Sequence, residues 1–356
     1  MERSPGHPPL QPGWIDSPHL ALALGDFPLE SGETIRDFRL SYVAHGLPPG
    51  LATRRGALAG RPVALALCAI ASTHHRLDFL IGPGRALDPS RLVVLVVDAI
   101  GNGLSSSPSN STLQPGAAFP SFGIRDMVAS QAALLDHLGV GRVEAVVGAS
   151  MGGMQALQWA VSHRERVGRV VAMTPMARTS PWAAAINEAS RRALQQATGI
   201  GGNAAAEAVW AAWVPLMQLL SARTPAQVHA GFGGAGDVIA WIEDRTRWWQ
   251  SQRFAPIDWL YQSRAYDAHD VGATPGFGGD VVAALRSIAA PTLVLAPALD
   301  LYNPVEAARF AADHIPGARF VPIPSAWGHQ SASAADPDAA SFLNRAIRDF
   351  LSEGGA

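Results

Sequence analysis

The most informative stretch of this 356-residue chain is Val143-Glu-Ala-Val-Val-Gly-Ala-Ser150-Met-Gly-Gly-Met154. A short run rich in β-branched residues leads into Gly-Ala-Ser-Met-Gly, and an apolar, helix-like run follows at residues 154–160. A strand, a sharp turn with serine at its tip and a helix are the context in which Gly-x-Ser-x-Gly predicts a nucleophile elbow. Ser150 would then lie at a helix N-terminus, where backbone N–H groups favour an oxyanion. The alternative is a glycine-rich turn whose serine only caps the helix.

The composition is that of a folded chain without strong net charge. Hydrophobic residues make up 48% and charged residues 16%, so the chain can bury a large core and is not disordered. A net charge of -2 indicates neither nucleic acid nor an anionic membrane as a partner. Cys68 is the single cysteine, which excludes an internal disulfide and fits a reducing compartment. We find no signal-peptide pattern and no apolar run of the roughly 18–20 residues that span a bilayer, so we expect a cytoplasmic protein.

Short apolar runs alternate with helical patterns on both sides of the elbow. Continuous apolar runs of this length are typical of parallel strands covered on both faces. Such runs predict strands at residues 62–68, 92–97, 143–148, 168–173, 291–296 and 319–323. Residues 34–43 largely alternate between apolar and polar types, which predicts a further, half-buried strand. A helix is predicted over residues 126–138, and Asn303 is the predicted N-cap of another helix. The pattern predicts an α/β fold with a mostly parallel central sheet and helices on both faces. The Pro- and Gly-rich residues 1–30 are expected to lie on the surface.

The strand–helix alternation stops between residues 177 and 289. This segment is alanine-rich, lacks a convincing apolar strand and contains seven of the ten tryptophans. We interpret it as an inserted helical lid, which divides the chain into a first core part (1–176), the lid (177–289) and a second core part (290–356). Its tryptophans would either pack the lid itself or form an apolar surface toward the core, a substrate or another subunit.

The chain order of three residue types points to nucleophilic catalysis. A serine hydroxyl needs a base within hydrogen-bond reach, and the base needs an acid to orient it. With this type of elbow the order is serine, acid, histidine. Asp300 and His329 each follow a predicted strand, so both are expected at the carboxyl edge of the sheet with Ser150. We predict Ser150 as nucleophile, His329 as base and Asp300 as acid. Asp98 is the main alternative acid, and the weaker candidates for the base are His74, His75, His269 and His314.

The tetrahedral intermediate of such a reaction needs two N–H donors. One should be the backbone N–H of Met151, which follows the nucleophile. The other should come from the loop Cys68-Ala-Ile-Ala-Ser-Thr73 after an early strand, where Ile70 is the predicted donor within one residue either way. The alternative for Ile70 is a plain core side chain.

Four motifs occur in order within residues 30–335. They are Asp78-Phe-Leu-Ile-Gly-Pro-Gly-Arg-Ala-Leu-Asp88, Phe119-Pro-Ser-Phe-Gly-Ile-Arg-Asp-Met-Val128, Gly148-Ala-Ser-Met-Gly-Gly-Met-Gln-Ala-Leu157 and Met176-Ala-Arg-Thr-Ser180. In these motifs the chain resembles the homoserine O-acetyltransferase family of α/β-hydrolases. The resemblance implies the α/β-hydrolase fold, a triad of Ser150, His329 and Asp300, a helical lid and a homodimer formed through that lid.

The chain departs from the family pattern at three places. Gln330 follows the triad histidine, where the transferases typically have an aspartate that helps hold the amino group of homoserine. Residues 68–72 replace the usual His-Ala-Leu-Thr-Gly, and the carboxylate-binding helix with Tyr and Arg is hard to find in residues 216–223. The segment Gly101-Asn-Gly-Leu-Ser-Ser-Ser-Pro-Ser-Asn110 instead resembles the esterase branch of the family.

These departures favour water as the acyl acceptor. The expected function is therefore a serine carboxylesterase that hydrolyses small, short-chain acyl esters through an acyl-Ser150 intermediate. The alternatives are an O-acyltransferase, moving an acetyl or other short acyl group to homoserine or a related alcohol, and a non-catalytic binding protein. No metal or organic cofactor is expected, and acyl-CoA would be a co-substrate of the transferase only. Arg178, Trp327 and Gln330 are the candidate substrate-binding residues.

Overall fold

The computed structural model describes residues 6–198, 203–252 and 254–353. Residues 1–5 of the first predicted core part, 199–202 and 253 of the predicted lid, and 354–356 of the second core part lie outside the described residues. Within the described residues, eight strands form one sheet in the order β1-β2-β4-β3-β5-β6-β7-β8. The strands are β1 (Leu20–Pro28), β2 (Thr34–His45), β3 (Val63–Leu67), β4 (Val93–Val97), β5 (Ala145–Ala149), β6 (Val170–Met173), β7 (Thr292–Pro297) and β8 (Arg319–Ile323). β2 runs antiparallel to β1 and β4, and the other neighbours are parallel. The predicted mostly parallel sheet is confirmed.

Helices connect the strands and cover the sheet. They are α1 (Pro49–Ala52), α2 (Ile124–Leu138), α3 (Met151–Ser162), α4 (Pro181–Thr198), α5 (Asn203–Val214), α6 (Pro225–Gly231), α7 (Ala235–Ser251), α8 (Pro256–Asp267), α9 (Val281–Arg286), α10 (Val305–His314) and α11 (Pro337–Ser352). Helix α2 matches the helix predicted over residues 126–138. In the part of the chain that is described, no helix is long and apolar enough to cross a bilayer.

The central strands are buried on both faces because their side chains alternate between two hydrophobic clusters. Every residue of β3, β4 and β5 is buried. In β3, Leu65 belongs to the same cluster as Leu157 of α3, whereas Ala64 belongs to the cluster of Leu343 on α11. This two-sided burial explains why these strands are continuous apolar runs in the sequence.

Strand β1 was not predicted, because residues 1–30 were expected only to lie on the surface. It pairs with β2 along most of its length, with two irregularities in the register around Gly25. Leu20, Leu22 and Leu24 are half-buried against the core, while the small residues between them are exposed. The signal was the alternation Leu-Ala-Leu-Ala-Leu, which the surrounding prolines and glycines obscured.

A helical insertion separates β6 from β7. It comprises α4 to α9 (residues 181–286) and a π-helical turn at Pro215–Ser221 between α5 and α6, and its described residues contain no strand. It lies inside the predicted lid at residues 177–289. We call residues 181–286 the helical insertion below.

A buried carboxyl group joins the helical insertion to the core. Asp258, in α8, is fully buried and accepts hydrogen bonds from the Ser109 hydroxyl (2.5 Å) and the Ser109 backbone N–H (3.1 Å). Burial raises the pKa of Asp258 to about 7, although the bonds from Ser109 act in the opposite direction. A neutral Asp258 is therefore the form that the fold favours.

The turn between β5 and α3 leaves no room for side chains at its glycines. A Cβ on Gly148 would lie 2.1 Å from the carbonyl oxygen of Gly152, and a Cβ on Gly152 would lie 2.4 Å from that of Leu67. Both neighbours are backbone atoms, which cannot rotate away. The two glycines of the motif are therefore required by the close approach of β3, β5 and α3.

Replacing Gly148 by alanine should destabilise the fold by about 3 kcal/mol or more, because the new methyl group overlaps backbone. The midpoint of urea unfolding measures the effect. Gly141→Ala is the matched control, since a Cβ there meets nothing within 4 Å. Equal midpoints for the two variants would show that the predicted overlap is absent.

Replacing Asp258 by asparagine should flatten the pH dependence of stability. The folded-state pKa of about 7 exceeds the unfolded value of about 3.9, so the folded protein holds the extra proton between these values. The free energy of unfolding of the wild type should therefore fall as pH rises from about 4 to 7, by at most about 1.4 kcal/mol per pH unit from this group. Urea unfolding at several pH values measures the slope. Asp313→Asn, at an exposed position of α10, should leave that slope unchanged, and a wild-type slope in Asp258→Asn would contradict the assignment.

Candidate active site

Ser150 stands at the tip of the turn between β5 and α3 in a conformation that few non-glycine residues adopt. Its backbone angles are φ 56° and ψ −123°. Such a residue persists only where the surrounding structure enforces it, and it is common at catalytic sites. Here the enforcing elements are the glycine contacts described above and the bonds from the Ser150 N–H to the Met173 carbonyl (2.9 Å) and the Thr174 hydroxyl (3.2 Å). Helix α3 begins at the next residue.

Three predicted site residues form one hydrogen-bonded chain. His329 Nε2 lies 2.8 Å from Ser150 Oγ, and His329 Nδ1 lies 2.8 Å from Asp300 Oδ2. A carboxylate only accepts, so Nδ1 carries the proton toward Asp300 and Nε2 accepts from the serine hydroxyl. Ser150 is 1% exposed and His329 is 7% exposed, so bulk water competes little with these bonds. The arrangement is the one a histidine needs to remove the proton of Ser150.

The second carboxylate oxygen of Asp300 is held by the backbone. Oδ1 accepts from the N–H groups of Tyr302 (2.9 Å) and Asn303 (2.8 Å), in the turn that follows β7. The two bonds leave Oδ2 for His329. The loop thus fixes the carboxylate group that orients the imidazole of His329.

Two residues that the sequence analysis did not identify as site residues lie behind the triad. The buried Tyr266 hydroxyl donates to Asn303 Oδ1 (2.5 Å), and Asn303 Nδ2 donates to the Thr174 carbonyl (2.7 Å). Burial raises the pKa of Tyr266, so its hydroxyl stays protonated and can donate. The predicted N-cap role of Asn303 was wrong: Pro304 is the N-cap residue of α10, without a side-chain cap. The physical reason is that the Asn303 amide is used in this buried network.

The two predicted oxyanion donors lie in the turn at Ser150 and in the lining of the cavity above it. Met151 is the first residue of α3, where N–H groups have no partner inside the helix. Ile70 lines the same cavity as Ser150. Its neighbour Ala71 has φ 52°, and the Ala71 N–H already donates to Gln262 Oε1 (3.0 Å). This bond favours Ile70 over Ala71 as the donor, and the assignment stays a prediction.

The cavity above Ser150 has a volume of about 320 Å³ and is built from three parts of the chain. The core contributes residues of the loop after β3, and the N-terminal segment contributes Gly6, Pro8 and Trp14. The helical insertion contributes apolar side chains, among them Trp213, Met217, Trp248, Trp249 and Trp259. Several of the tryptophans in the insertion therefore line the cavity, which was one of the two predicted uses.

The charged side chains in the described lining of the cavity are cationic. Arg76 and Arg245 line it, and no aspartate or glutamate is among its described lining residues. The Arg245 guanidinium lies 3.9 Å from the centre of the Trp248 ring. Burial lowers the pKa of Arg245 to about 10, so it stays charged at neutral pH. The cavity can therefore receive a negatively charged group, but its described lining offers no carboxylate to an ammonium group.

The three candidate substrate-binding residues have different surroundings. Gln330 lines the cavity. Arg178 is outside its lining, because its guanidinium pairs with Asp270 (2.7 Å) and donates to the Gly279 carbonyl (2.7 Å) at the surface. Trp327 is also outside the lining, and the Arg223 guanidinium lies over its ring at 5.2 Å. The structure therefore brings one of these three residues to the cavity.

The alternative acid and bases have other partners. Asp98 is fully buried and bonds to Ser41 (2.8 Å), Asn102 (3.0 Å) and His74 (3.1 Å). Burial alone would raise the pKa of Asp98, but the charge and hydrogen bond of His74 and the bond from Ser41 outweigh it and lower the pKa to about 2. The other candidate bases have different surroundings. His75 lines the cavity, whereas the rings of His269 and His314 form hydrogen bonds with backbone carbonyl groups.

Comparisons with known proteins agree with this geometry. A family model described as alpha/beta hydrolase fold matches residues 80–222. The homoserine O-acetyltransferase of Thermus thermophilus is 37% identical over 260 residues, which are 71% of this chain and 67% of that protein. The homoserine O-acetyltransferase of Trichormus variabilis is 30% identical over 320 residues, 86% of this chain and 87% of that protein. Among solved structures, the acetyl esterase MekB has a TM-score of 0.83 and 27% identity, covering 94% of this chain and 97% of that chain.

The relatives are enzymes, and the match to one of them extends over most of both chains. The strand order and the serine elbow agree with the same assignment. This chain belongs to the homoserine O-acetyltransferase family of α/β-hydrolases.

Proposed function

We propose that this enzyme transfers a short acyl group through a covalent intermediate on Ser150. The hydrogen-bond chain from Ser150 through His329 to Asp300 is the observation that carries the proposal. Ser150 Oγ attacks the acyl carbonyl while His329 Nε2 takes its proton, and Asp300 stabilises the imidazolium that forms. The backbone N–H groups of Met151 and Ile70 would hold the oxyanion. His329 then returns the proton to the leaving alcohol or thiol.

The second half of the reaction depends on the acceptor. His329, neutral again, takes a proton from the acceptor hydroxyl, which attacks the acyl carbon and releases Ser150. The names of the curated relatives favour a hydroxyl compound over water. Transfer from acyl-CoA to homoserine or a related alcohol is therefore the first activity to test, and these findings support it better than the esterase reading.

Hydrolysis is the second candidate, and the chemistry of the cavity favours it. Homoserine carries an ammonium group, yet Gln330 stands where the transferases typically have an aspartate, and no described lining residue is acidic. An ammonium buried without a carboxylate partner loses its hydration at a high cost. Water makes no such demand. The likeness to an acetyl esterase at 27% identity supports the same candidate.

One observation supports the predicted homodimer that forms through the lid. Three large apolar side chains of the helical insertion are more than half exposed: Trp182, Leu220 and Ile239. Apolar side chains on one subdomain are frequent at subunit interfaces. Dimerisation and a cytoplasmic location both stay predictions.

Substitutions in the triad should remove acyl transfer to any acceptor. With p-nitrophenyl acetate we expect Ser150→Ala to lower kcat about a thousandfold or more, and Asp300→Asn to lower it about 10²- to 10⁴-fold because the histidine tautomer is lost. Release of p-nitrophenol measures both. His314→Ala, on α10, should retain wild-type activity. Full activity of folded Ser150→Ala would overturn the proposal.

A product assay separates the two acceptors. The enzyme is given acetyl-CoA with homoserine and, separately, a simple acetate ester in water, and O-acetylhomoserine and acetate are quantified by mass spectrometry. Transfer predicts O-acetylhomoserine as the main product of the first mixture, whereas hydrolysis predicts acetate in both mixtures.

Gln330→Asp should raise the ratio of transfer to hydrolysis about tenfold or more by restoring a partner for the ammonium group. Gln330→Asn is the matched neutral control, and equal ratios in the two variants would exclude this role of position 330.

A further inference from the structure

Three histidines from distant parts of the chain meet beside the active-site cavity. His7 and His19 belong to the N-terminal segment, and His74 follows the loop after β3. One ring nitrogen from each lies within 4.8 Å of the others. His19 packs edge to face against both His7 and His74, with ring centroids 4.6 Å and 4.3 Å apart. We call these three residues the histidine cluster.

Two ring nitrogens of the histidine cluster are buried without a hydrogen-bond partner among the described residues. They are His74 Nε2 and His19 Nδ1, and the His74 side chain is 1% exposed. A buried polar atom that lacks a partner is costly, and in a native fold it calls for an explanation. A metal ion bound to these nitrogens would satisfy both.

One carboxylate contacts the histidine cluster directly and a second is linked to it through His75, as is common around metal sites in proteins. Asp98 binds Nδ1 of His74 at 3.1 Å, which directs the Nε2 lone pair away from it. His7 Nε2 lies 3.0 Å from His75 Nε2, and His75 Nδ1 lies 2.7 Å from Asp78. Histidine ligands of metals usually donate their other N–H to a carboxylate, which fixes the ring and raises its basicity. The two acidic groups would also offset the positive charge of an ion.

We propose that His7, His19 and His74 bind one divalent transition-metal ion, with zinc as the ion that best fits. Three neutral imidazoles are a ligand set that suits zinc, with a fourth position for water. Zinc–nitrogen bonds of about 2.0–2.1 Å place tetrahedral ligand atoms about 3.3 Å apart. The most separated pair of nitrogens must therefore approach by about 1.5 Å or less when the ion binds.

The proposed ion has a structural consequence at the cavity. His7 lies between Gly6 and Pro8, which both line the cavity, and the lining Trp14 stacks on His75 with ring centroids 4.1 Å apart. By joining His7 and His19 to His74, the ion would attach the N-terminal segment to the core and hold this wall of the cavity. It has no part in the chemistry of Ser150, so the inference does not depend on the proposed function.

The test is zinc binding to untagged, full-length protein after dialysis against EDTA. Isothermal titration with zinc should give one site per chain, and zinc at about a hundredfold excess over Kd should raise Tm by about 3–4 °C. His19→Ala should lose both effects, whereas His314→Ala, outside the cluster, should retain them. The proposal would be overturned if the folded wild-type protein bound no zinc, or if His19→Ala bound zinc as tightly as the wild type.

Cobalt(II) provides a second measurement that needs no variant. Cobalt in the histidine cluster of the wild type should have the intense visible absorption of a four-coordinate site, which zinc then displaces at one equivalent. The weak spectrum of hydrated cobalt would contradict the proposal. This measurement decides the question even if His19→Ala does not fold.

Discussion

The closeness of three backbone segments is the constraint on which this site depends. β3, β5 and α3 approach so tightly that a Cβ at Gly148 or Gly152 would overlap a carbonyl oxygen. Ser150 has positive φ in this turn, and its hydroxyl lies at the carboxyl edge of the sheet, within hydrogen-bond distance of His329. His329 and Asp300 then reach Ser150 from the loops after β8 and β7. The positive φ of Ser150 and its hydrogen bond to His329 therefore have the same origin.

The helical insertion also contacts the loop that holds Asp300, on the side away from the cavity. Tyr266, in α8, bonds to Asn303, and Asn303 bonds to the carbonyl of Thr174 beside the elbow. The ring of Tyr302 lies between, stacked on Tyr266 and edge-on to His329. Buried polar networks of this kind are stable only when each member is satisfied. The insertion therefore contributes to the position of the triad as well as to the wall of the cavity.

Under the proposed function, Ser150 takes up the acyl group and the lining of the cavity meets the acceptor. Acyl transfer onto a serine requires only the elbow, the histidine, the acid and two N–H donors. Around Ser150 the lining combines the positive charges of Arg76 and Arg245 with aromatic side chains of the helical insertion. The N-terminal segment completes the lining, so the histidine cluster and the reaction centre share one wall without sharing chemistry.

Local sequence determined the features that depend on neighbouring residues. The elbow is a pattern of twelve consecutive residues, and the buried strands are apolar runs. Asp300 and His329 each follow a predicted strand, in the chain order that the elbow requires. Apart from the contacts among Ser150, His329 and Asp300, only the tertiary structure decided which distant residues meet. The partner of Arg178 is Asp270, Asn303 bonds to Tyr266 instead of capping a helix, and His7 and His19 reach His74 across the fold. Periodicity reports which face of an element is buried, but a long-range polar pair has no period, and it exists only once packing has brought its members together.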